Sequence, residues 1–490
     1  METLGMDAET IMQIRPELTR HLDTYDGFFG RSSTRRHMDT YIGGQLSDLD
    51  RKSVEPIADA AGTPPRTLQE FLGLFRWNES GVRDRVQQQV SQRHSHPHST
   101  GIFDETSFVK KGDKTACVQR QHCGAVGKVE NCVVSVHLGY ATPDFHTLLD
   151  GDLFLPEETW DANRERCRAA GIPEEITYRA KWQIALEQLN RSIANGVRFN
   201  WLTFDEGYGG KPPFLRALAS LGQNYVAEVP VTFQAWTSQP DLLYRDHARD
   251  KKQGRPRRMP RLKAKNNPAV DVQNILAYSP VMRRVPWEKY LVKEGTRGPM
   301  VFEAKRLTVW LKDEHGLPTA PHHLLITRPV TNPSDVKYFI SNAPLDTSIE
   351  TLLLVAFSRW RIERMFEDTK GELGMDHFEV RKYLSIRRHL ILTCVSHLFL
   401  AEFHEKHKKK RGPDDLSGSH GDIETRTPLG TRGALFPETS RIDQCAIGLN
   451  PGAESTSQSE PPEGDNPQTS RKRNQAERSA KMSLATYIAL

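Results

Sequence analysis

Apolar residues recur at helical spacing from the N-terminus to about residue 92. The clearest stretch is L-S-D-L-D-R-K-S-V-E-P-I-A-D-A-A-G-T-P-P-R-T-L-Q-E-F-L-G-L-F-R-W. There Ser47 can cap a helix bearing Leu49, Val54, Ile57 and Ala61, which Gly62 and Pro64-Pro65 stop; a second helix carries Leu68, Phe71, Leu72 and Phe75. The pair fits a DNA-reading helix-turn-helix or an ordinary helical hairpin. From 101 to 140 the period changes to two, in G-I-F-D-E-T-S-F, T-A-C-V-Q-R-Q and N-C-V-V-S-V-H-L-G. The polar loops K-K-G-D-K and G-A-V-G-K join these runs, which predicts an antiparallel meander. An amphipathic helix over 174–195 stops at Asn195-Gly196. Strand V-R-F-N-W-L-T-F, helix P-F-L-R-A-L-A-S-L-G and strand Y-V-A-E-V-P then complete an α/β unit.

Between 231 and 342 the pattern turns to alternating segments such as V-F-E-A-K-R-L-T-V-W-L, H-L-L-I-T-R and K-Y-F-I-S-N-A, behind the basic stretch R-D-K-K-Q-G-R-P-R-R-M-P-R-L-K-A-K. A β-rich insertion with a basic loop is expected. One long helix should run from Thr347 to Leu373, ended by Gly374, and another from 382 to 405. The domain reading is a helical N-terminal DNA-binding domain (1–92), a linker (93–100), a core in two parts (101–230 and 343–405), the insertion (231–342), and a basic then polar, disordered tail (406–490).

Composition narrows the class. The 490 residues allow two to four domains. Net charge is only +5, but the basic residues cluster, and clustering is what a polyanion partner reads. Cysteines 117, 123, 132, 167, 394 and 445 form no C-x-x-C pair, so reduced, mostly buried thiols are expected rather than zinc or disulfides. No signal peptide and no run of 18 or more apolar residues is evident, which gives the expectation of a soluble intracellular protein without a membrane partner. The histidines of Q-R-H-S-H-P-H-S-T lie in a Pro/Ser linker with no rigid backbone to fix metal geometry.

Three acids stand in settings that suit chemistry. Asp104 and Asp205 close apolar runs that read as buried strands, and Glu363 lies in the long helix. Strand ends and a helix from distant parts of a chain can converge carboxylates on a divalent metal. Strand alternation sends only one of Asp104 and Glu105 toward a given face; Asp104 is preferred, with Thr106 on its side to orient the carboxylate. On the helix, Glu363 and Lys370 fall about 40° and about 20° round the wheel from Arg359. That stripe suits a metal ligand flanked by phosphate-binding cations, or equally a salt-bridged exposed face.

At this point the residues reach a family. R-W-R-I-E-R-M-F-E-D-T-K resembles the Tyr-(x2)-Arg-(x3)-Glu-(x6)-Lys signature of a branch of bacterial insertion-sequence transposases of the DDE superfamily. Arg359, Glu363 and Lys370 match, while the tyrosine position holds Ala356. F-D-E-T-S-F-V-K-K-G, R-Q-H-C-G-A-V-G-K-V-E-N-C, F-D-E-G-Y-G, Y-F-I-S-N-A-P and E-L-G-M-D-H-F-E-V-R are also similar to this branch, over about residues 20–400. The acids are spaced by 101 and 158 residues, and the longer gap fits the β insertion such enzymes carry. The tail beyond about 412 matches no known pattern.

The resemblance implies an α/β fold: a ribonuclease-H-like catalytic core, an N-terminal helical domain, and a β-rich insertion between the second and third acids. It implies that Asp104, Asp205 and Glu363 are catalytic and hold two Mg²⁺ ions, with Mn²⁺ able to substitute. Arg359 and Lys370 become DNA contacts near the scissile strand. The partners it implies are transposon-end DNA and target DNA, within a homodimeric synaptic complex in the bacterial cytoplasm at the nucleoid. A nuclease of the same fold without strand transfer, or a catalytically decayed DNA-binding relative, are the alternatives. In the basic loop Arg255, Arg257, Arg258, Arg261 and Lys263 are the expected backbone contacts. Neutralising several should weaken binding to all DNA sequences and flatten the salt dependence by about 0.9 per lost contact. Filter binding across a salt series checks this; an unchanged slope leaves a merely solvated loop.

Overall fold

The computed structural model describes residues 8–243, 259–264, 267–295 and 298–410. Arg255, Arg257, Arg258, Cys445 and the tail from 411 lie outside the described residues. Five helices come first: α1 (Ala8–Asp23), α2 (Ser32–Leu46), α3 (Val54–Ala60), α4 (Pro65–Gly73) and α5 (Glu79–Arg93). Ser47 does not open the third of them. It closes α2, its hydroxyl donating to the Gly44 carbonyl at 2.7 Å, and Ser53 stands at the start of α3. Both serines precede apolar residues at helical spacing, so pattern alone could not choose between them. Proline supplies the first residue of α4, where its missing N–H costs nothing.

Next come β1 (Thr100–Val109), β2 (Gln119–Cys123), β3 (Lys128–Ala141), β4 (His146–Leu153), α6 (Arg164–Ala169), α7 (Lys181–Ala194), β5 (Trp201–Phe204), α8 (Glu206–Gly209), α9 (Pro212–Ser220) and β6 (Tyr225–Val229). Then follow α10 (Val272–Tyr278), α11 (Pro280–Arg284), β7 (Glu288–Gly295), β8 (Gly298–Lys312), β9 (Pro318–Pro329) and β10 (Lys337–Ser341). These strands form one ten-stranded mixed sheet in the order β7-β8-β9-β10-β6-β5-β1-β3-β2, with β4 also paired to β3. β1, β5 and β6 are parallel neighbours, and the pairs outside them are antiparallel. The expected meander is not a simple one. The 14-residue β3 is long enough to pair with β1 on one edge and with β2 and β4 in succession on the other. The strands of residues 288–341 likewise extend the central sheet, because β10 pairs antiparallel with β6.

Helices cover both faces. Phe103, Leu202, Phe204, Tyr225 and Ala227 pack with Phe214 of α9 and Leu189 of α7. The opposite face receives α12 (Ile349–Ser358) and α13 (Trp360–Gly371). One helix was expected here, but the structure breaks it at Arg359. Leu352, Leu353, Val355 and Ala356 of α12 bury against Trp201, Val226 and Phe339. Ile362, Met365 and Phe366 of α13 bury against Ile102 and Phe108. The two halves serve different parts of a twisted sheet, and no Gly or Pro advertises the break.

The last described helix, α14 (Tyr383–Lys410), packs against α1, α2, α4, α5, α13 and β4. Over Tyr383–His407 it is long and apolar enough to cross a membrane, contrary to the sequence expectation, yet 83% of its apolar window is buried inside the protein. A helix buried all round is apolar all round. The five described cysteines are free and buried.

Three buried histidines enter this core uncharged. His389 has Nδ1 within 2.8 Å of the Tyr41 hydroxyl and Nε2 within 2.9 Å of the Met375 carbonyl, which joins α2 to the segment after α13. Burial pushes His389 and His137 down to about 4 and His397 down to about 3. The unfolded chain binds these protons near 6.5. Their contribution to stability should therefore be complete above about pH 6.5 and fall away as pH drops toward about 4, and for His397 about 3, since the unfolded state then binds more protons. Urea midpoints across that range check this, and His389→Gln should flatten the fall.

Candidate active site

Parallel pairing sets three acids at one level. Phe103 of β1 lies opposite Phe204 of β5, and Phe204 lies opposite Ala227 of β6. The residues that follow are Asp104, Asp205 and Glu228. Alternation gives all three the face covered by α12 and α13, the face that Ile102 and Val226 also share. Glu105 takes the other face, where it accepts from the Tyr208 hydroxyl at 3.0 Å and pairs with Lys181.

Each carboxylate is held by nearby donors. The Glu105 backbone N–H donates to Asp104 Oδ1 at 2.8 Å, so backbone rather than Thr106 orients this side chain. Asp205 caps α8, accepting from the N–H groups of Gly207 at 3.0 Å and Tyr208 at 3.4 Å. Burial and the facing Asp205 charge raise Asp104 to about 7, against the opposing pull of Arg359 and of its backbone hydrogen bond. Asp205 is also raised, first by burial and then by Glu105. Two carboxylates crowded in a half-dry cleft resist ionising together.

Arg359 answers that crowding. Its Nη1 lies 3.3 Å from Asp104 Oδ2 and 3.7 Å from Glu363 Oε1, and its Nε lies 3.9 Å from Glu228 Oε2. Sharing one nitrogen puts the Asp104 and Glu363 oxygens at most 7.0 Å apart. Glu363, in the first turn of α13, keeps a side chain 62% exposed. Lys370 sits at the far end of α13, half-buried, its Nζ 5.7 Å from the centre of the Phe108 ring, and burial lowers its affinity for a proton. Arg359 therefore joins the acids directly, while Lys370 lies in the last turn of α13, against Phe108 near the end of β1.

Two glycines allow these approaches. A Cβ on Gly139 of β3 would stand 2.7 Å from Met365 Sδ, so glycine there leaves room for the Met365 thioether against the sheet. A Cβ on Gly209 would stand 1.9 Å from the Glu228 carbonyl oxygen, so α8 can hold Asp205 beside β6 only with glycine there.

The donors present are carboxylate oxygens, the ligand chemistry that Mg²⁺ and Mn²⁺ prefer, and a cation would relieve the Asp104–Asp205 crowding. No three His, Cys, Asp or Glu side chains stand at metal-ligand spacing among the described residues. Asp104 and Asp205 offer such an ion the right kind of donor, while Arg359 stands between Asp104 and Glu363. Of the basic-loop candidates within the described residues, Arg261 is exposed on a short strand pair with Leu243, and Lys263 pairs with Asp241 at 3.3 Å. Neither has a contact with the acids. Sequence reasoning missed Glu228, whose strand Y-V-A-E-V-P reads as plain alternation; only the register with β5 singles it out.

A family model described as DDE superfamily endonuclease matches residues 24–299. A probable transposase for insertion sequence element IS701 from Microchaete diplosiphon is 30% identical over 189 residues. That match covers 38% of this chain and 46% of the relative, so the chain spans less than half of the relative's length. The crystal structure of the NurA nuclease from Sulfolobus solfataricus aligns with 61% of this chain and 93% of its own, at 10% identity and a TM-score of 0.23, too low to carry an argument.

Gly209→Ala tests how the Asp205 turn is built. The methyl would meet a backbone carbonyl that cannot swing aside. A cost of about 1–3 kcal/mol is expected, as for other overpacked sites. Thermal unfolding checks it, and an unchanged midpoint would show that α8 can back away from β6 without loss.

Proposed function

The chain belongs to the DDE superfamily endonucleases, and on that premise we propose that it is an insertion-sequence transposase. In this reading it cuts DNA at the ends of its element and joins the freed 3′-hydroxyl ends to target DNA, acting as a homodimer that holds two ends together. The observation that carries the reading is the meeting of distant acids: Asp104 on β1, Asp205 after β5, and Glu363 on α13, with Arg359 between. The strand order β4-β3-β1-β5-β6, antiparallel on one side of β1 and parallel on the other, supports a ribonuclease-H-like core. The relative's printed name supports transposition over cutting alone.

Asp104, Asp205 and Glu363 are the residues that would hold the divalent cations, Mg²⁺ or Mn²⁺. When bound, such ions supply Lewis acidity at the attacking and leaving oxygens of an in-line displacement. The chain's own groups do the rest. Arg359 offers a planar fork of donors to a phosphate and neutralises its charge, and Lys370 provides a second, point-like cation further along α13. In each step a P–O bond forms to the attacking oxygen, from water or from a 3′-hydroxyl, as the bond to the leaving oxygen breaks. The backbone donors on Asp104 and Asp205 fix both carboxylates before DNA arrives, which spares reorganisation in the step itself.

The DNA flanking the gene provides the substrate for a test. Asp205→Ala should abolish cleavage in Mg²⁺ while leaving DNA binding largely intact, and retained cleavage would end the assignment. Lys370→Ala should slow cleavage and joining on the order of a hundredfold. A merely surface ion pair would cost under about 1 kcal/mol of stability and no activity. Cleavage by the wild-type chain without joined products would favour a nuclease.

A further inference from the structure

Glu228 has no part in the triad just proposed, yet its surroundings are built. It stands at the level of Asp104 and Asp205, on the third of three parallel strands. Its side chain is only 15% exposed. Lys337 of the neighbouring β10 donates to Oε1 at 2.9 Å, which leaves Oε2 turned to Arg359 Nε at 3.9 Å. The guanidinium is thereby drawn two ways, by Glu228 through Nε and by Asp104 and Glu363 through Nη1. A carboxylate this buried is kept charged by pairing, and here both Lys337 and Arg359 face it.

We infer that Glu228 is a positioning residue for Arg359. Anchored by Lys337, it holds the Nε edge of the guanidinium on the β6 side of the cleft. That keeps Arg359 from closing fully onto Asp104, so Asp104 and Asp205 stay open to a divalent cation, while Nη2, which carries none of these contacts, stays open to phosphate. The role rests on the metal-dependent reading above, and Glu228 itself touches neither cation nor DNA. Glu228→Gln keeps the shape and an acceptor for Lys337 but removes the charge that competes for Arg359.

Two measurements on the full chain test this. In EDTA, thermal midpoints of Glu228→Gln, Arg359→Ala and the double variant form a cycle. The shifts should be non-additive, because removing either partner ends the same attraction; additive shifts would overturn the pairing. Mn²⁺ binding, followed by electron paramagnetic resonance of the free ion, then reads the role. Glu228→Gln should weaken binding about tenfold in the wild-type background and leave it nearly unchanged in the Arg359→Ala background. Equal weakening in both backgrounds would overturn the inference, since Glu228 would then act on the cation directly. Unchanged binding in Glu228→Gln would overturn it as well, leaving the metal site itself intact. A wild-type chain that binds no Mn²⁺ would remove the proposed metal chemistry and this role together.

Discussion

Carboxylates brought together in a half-dry cleft repel one another, and the arrangement around Arg359 follows from that repulsion. Asp104 lies on β1 and Asp205 directly follows β5, and the parallel register of these adjacent strands sets the two backbones side by side. The cost shows in Asp104, whose proton is held up to about 7 by burial and by its neighbour. Backbone donors offset part of that cost, and Arg359 offsets more by reaching Asp104, Glu228 and Glu363 at once. One guanidinium serving three carboxylates is possible because its donors form a planar fork, which a lysine ammonium cannot imitate.

That requirement reaches back into the backbone. For Arg359 to sit over the ends of β1 and β6, the chain must leave α12 and enter α13 at that residue. α12 is tied to the sheet by apolar contacts over β5, β6 and β10, and α13 by contacts over β1. The break between them sets the cation where the two surfaces meet. Gly139 and Gly209 complete the fit, one by admitting Met365 of α13 to the sheet and one by admitting α8 to β6. Behind α13, Lys52 donates to the carbonyls of both Gln45 and Glu372, so the ends of α2 and α13 share one buried ammonium. The helical N-terminal segment and the acid-bearing helix are thus packed as neighbours rather than joined only through a linker.

Much of this could be read in the chain, and the remainder fails for identifiable reasons. The apolar runs before Asp104 and Asp205 form strands, and period-two alternation sends Asp104 and Glu105 to opposite faces. These are local properties. Glu228 is different: its own segment is an unremarked strand, and its meaning comes only from pairing with β5. The union of residues 288–341 with the central sheet is likewise a long-range pairing, invisible to any window of sequence. Ser47 and Ser53 both precede apolar residues at helical spacing, six residues apart, and the one that holds the N-cap position, Ser53, does so without a side-chain cap hydrogen bond, so no local signal marks it. The break at Arg359 escapes notice because apolar spacing continues on both sides and no helix breaker stands there.

Ala356 gains a physical account from the same break. The signature resembled by α12 and α13 has tyrosine three residues before the arginine. Here that position is 4% exposed and packed with Leu352, Leu353 and Val355 against the sheet. A phenol placed on this backbone would have to displace core side chains packed with Ala356. The position belongs to the last buried turn of α12, whereas Arg359 begins a helix that buries a different face. Alanine is therefore what this packing asks for, and any aromatic contact to a nucleic acid must come from another element. Trp360, 41% exposed immediately after the break, is the large aromatic side chain nearest to Arg359 along the chain on the solvent side. Beside the guanidinium, Trp360 is partly exposed, while Phe357, two residues before Arg359, packs on Phe302 with ring centres 4.1 Å apart and planes tilted by 34°.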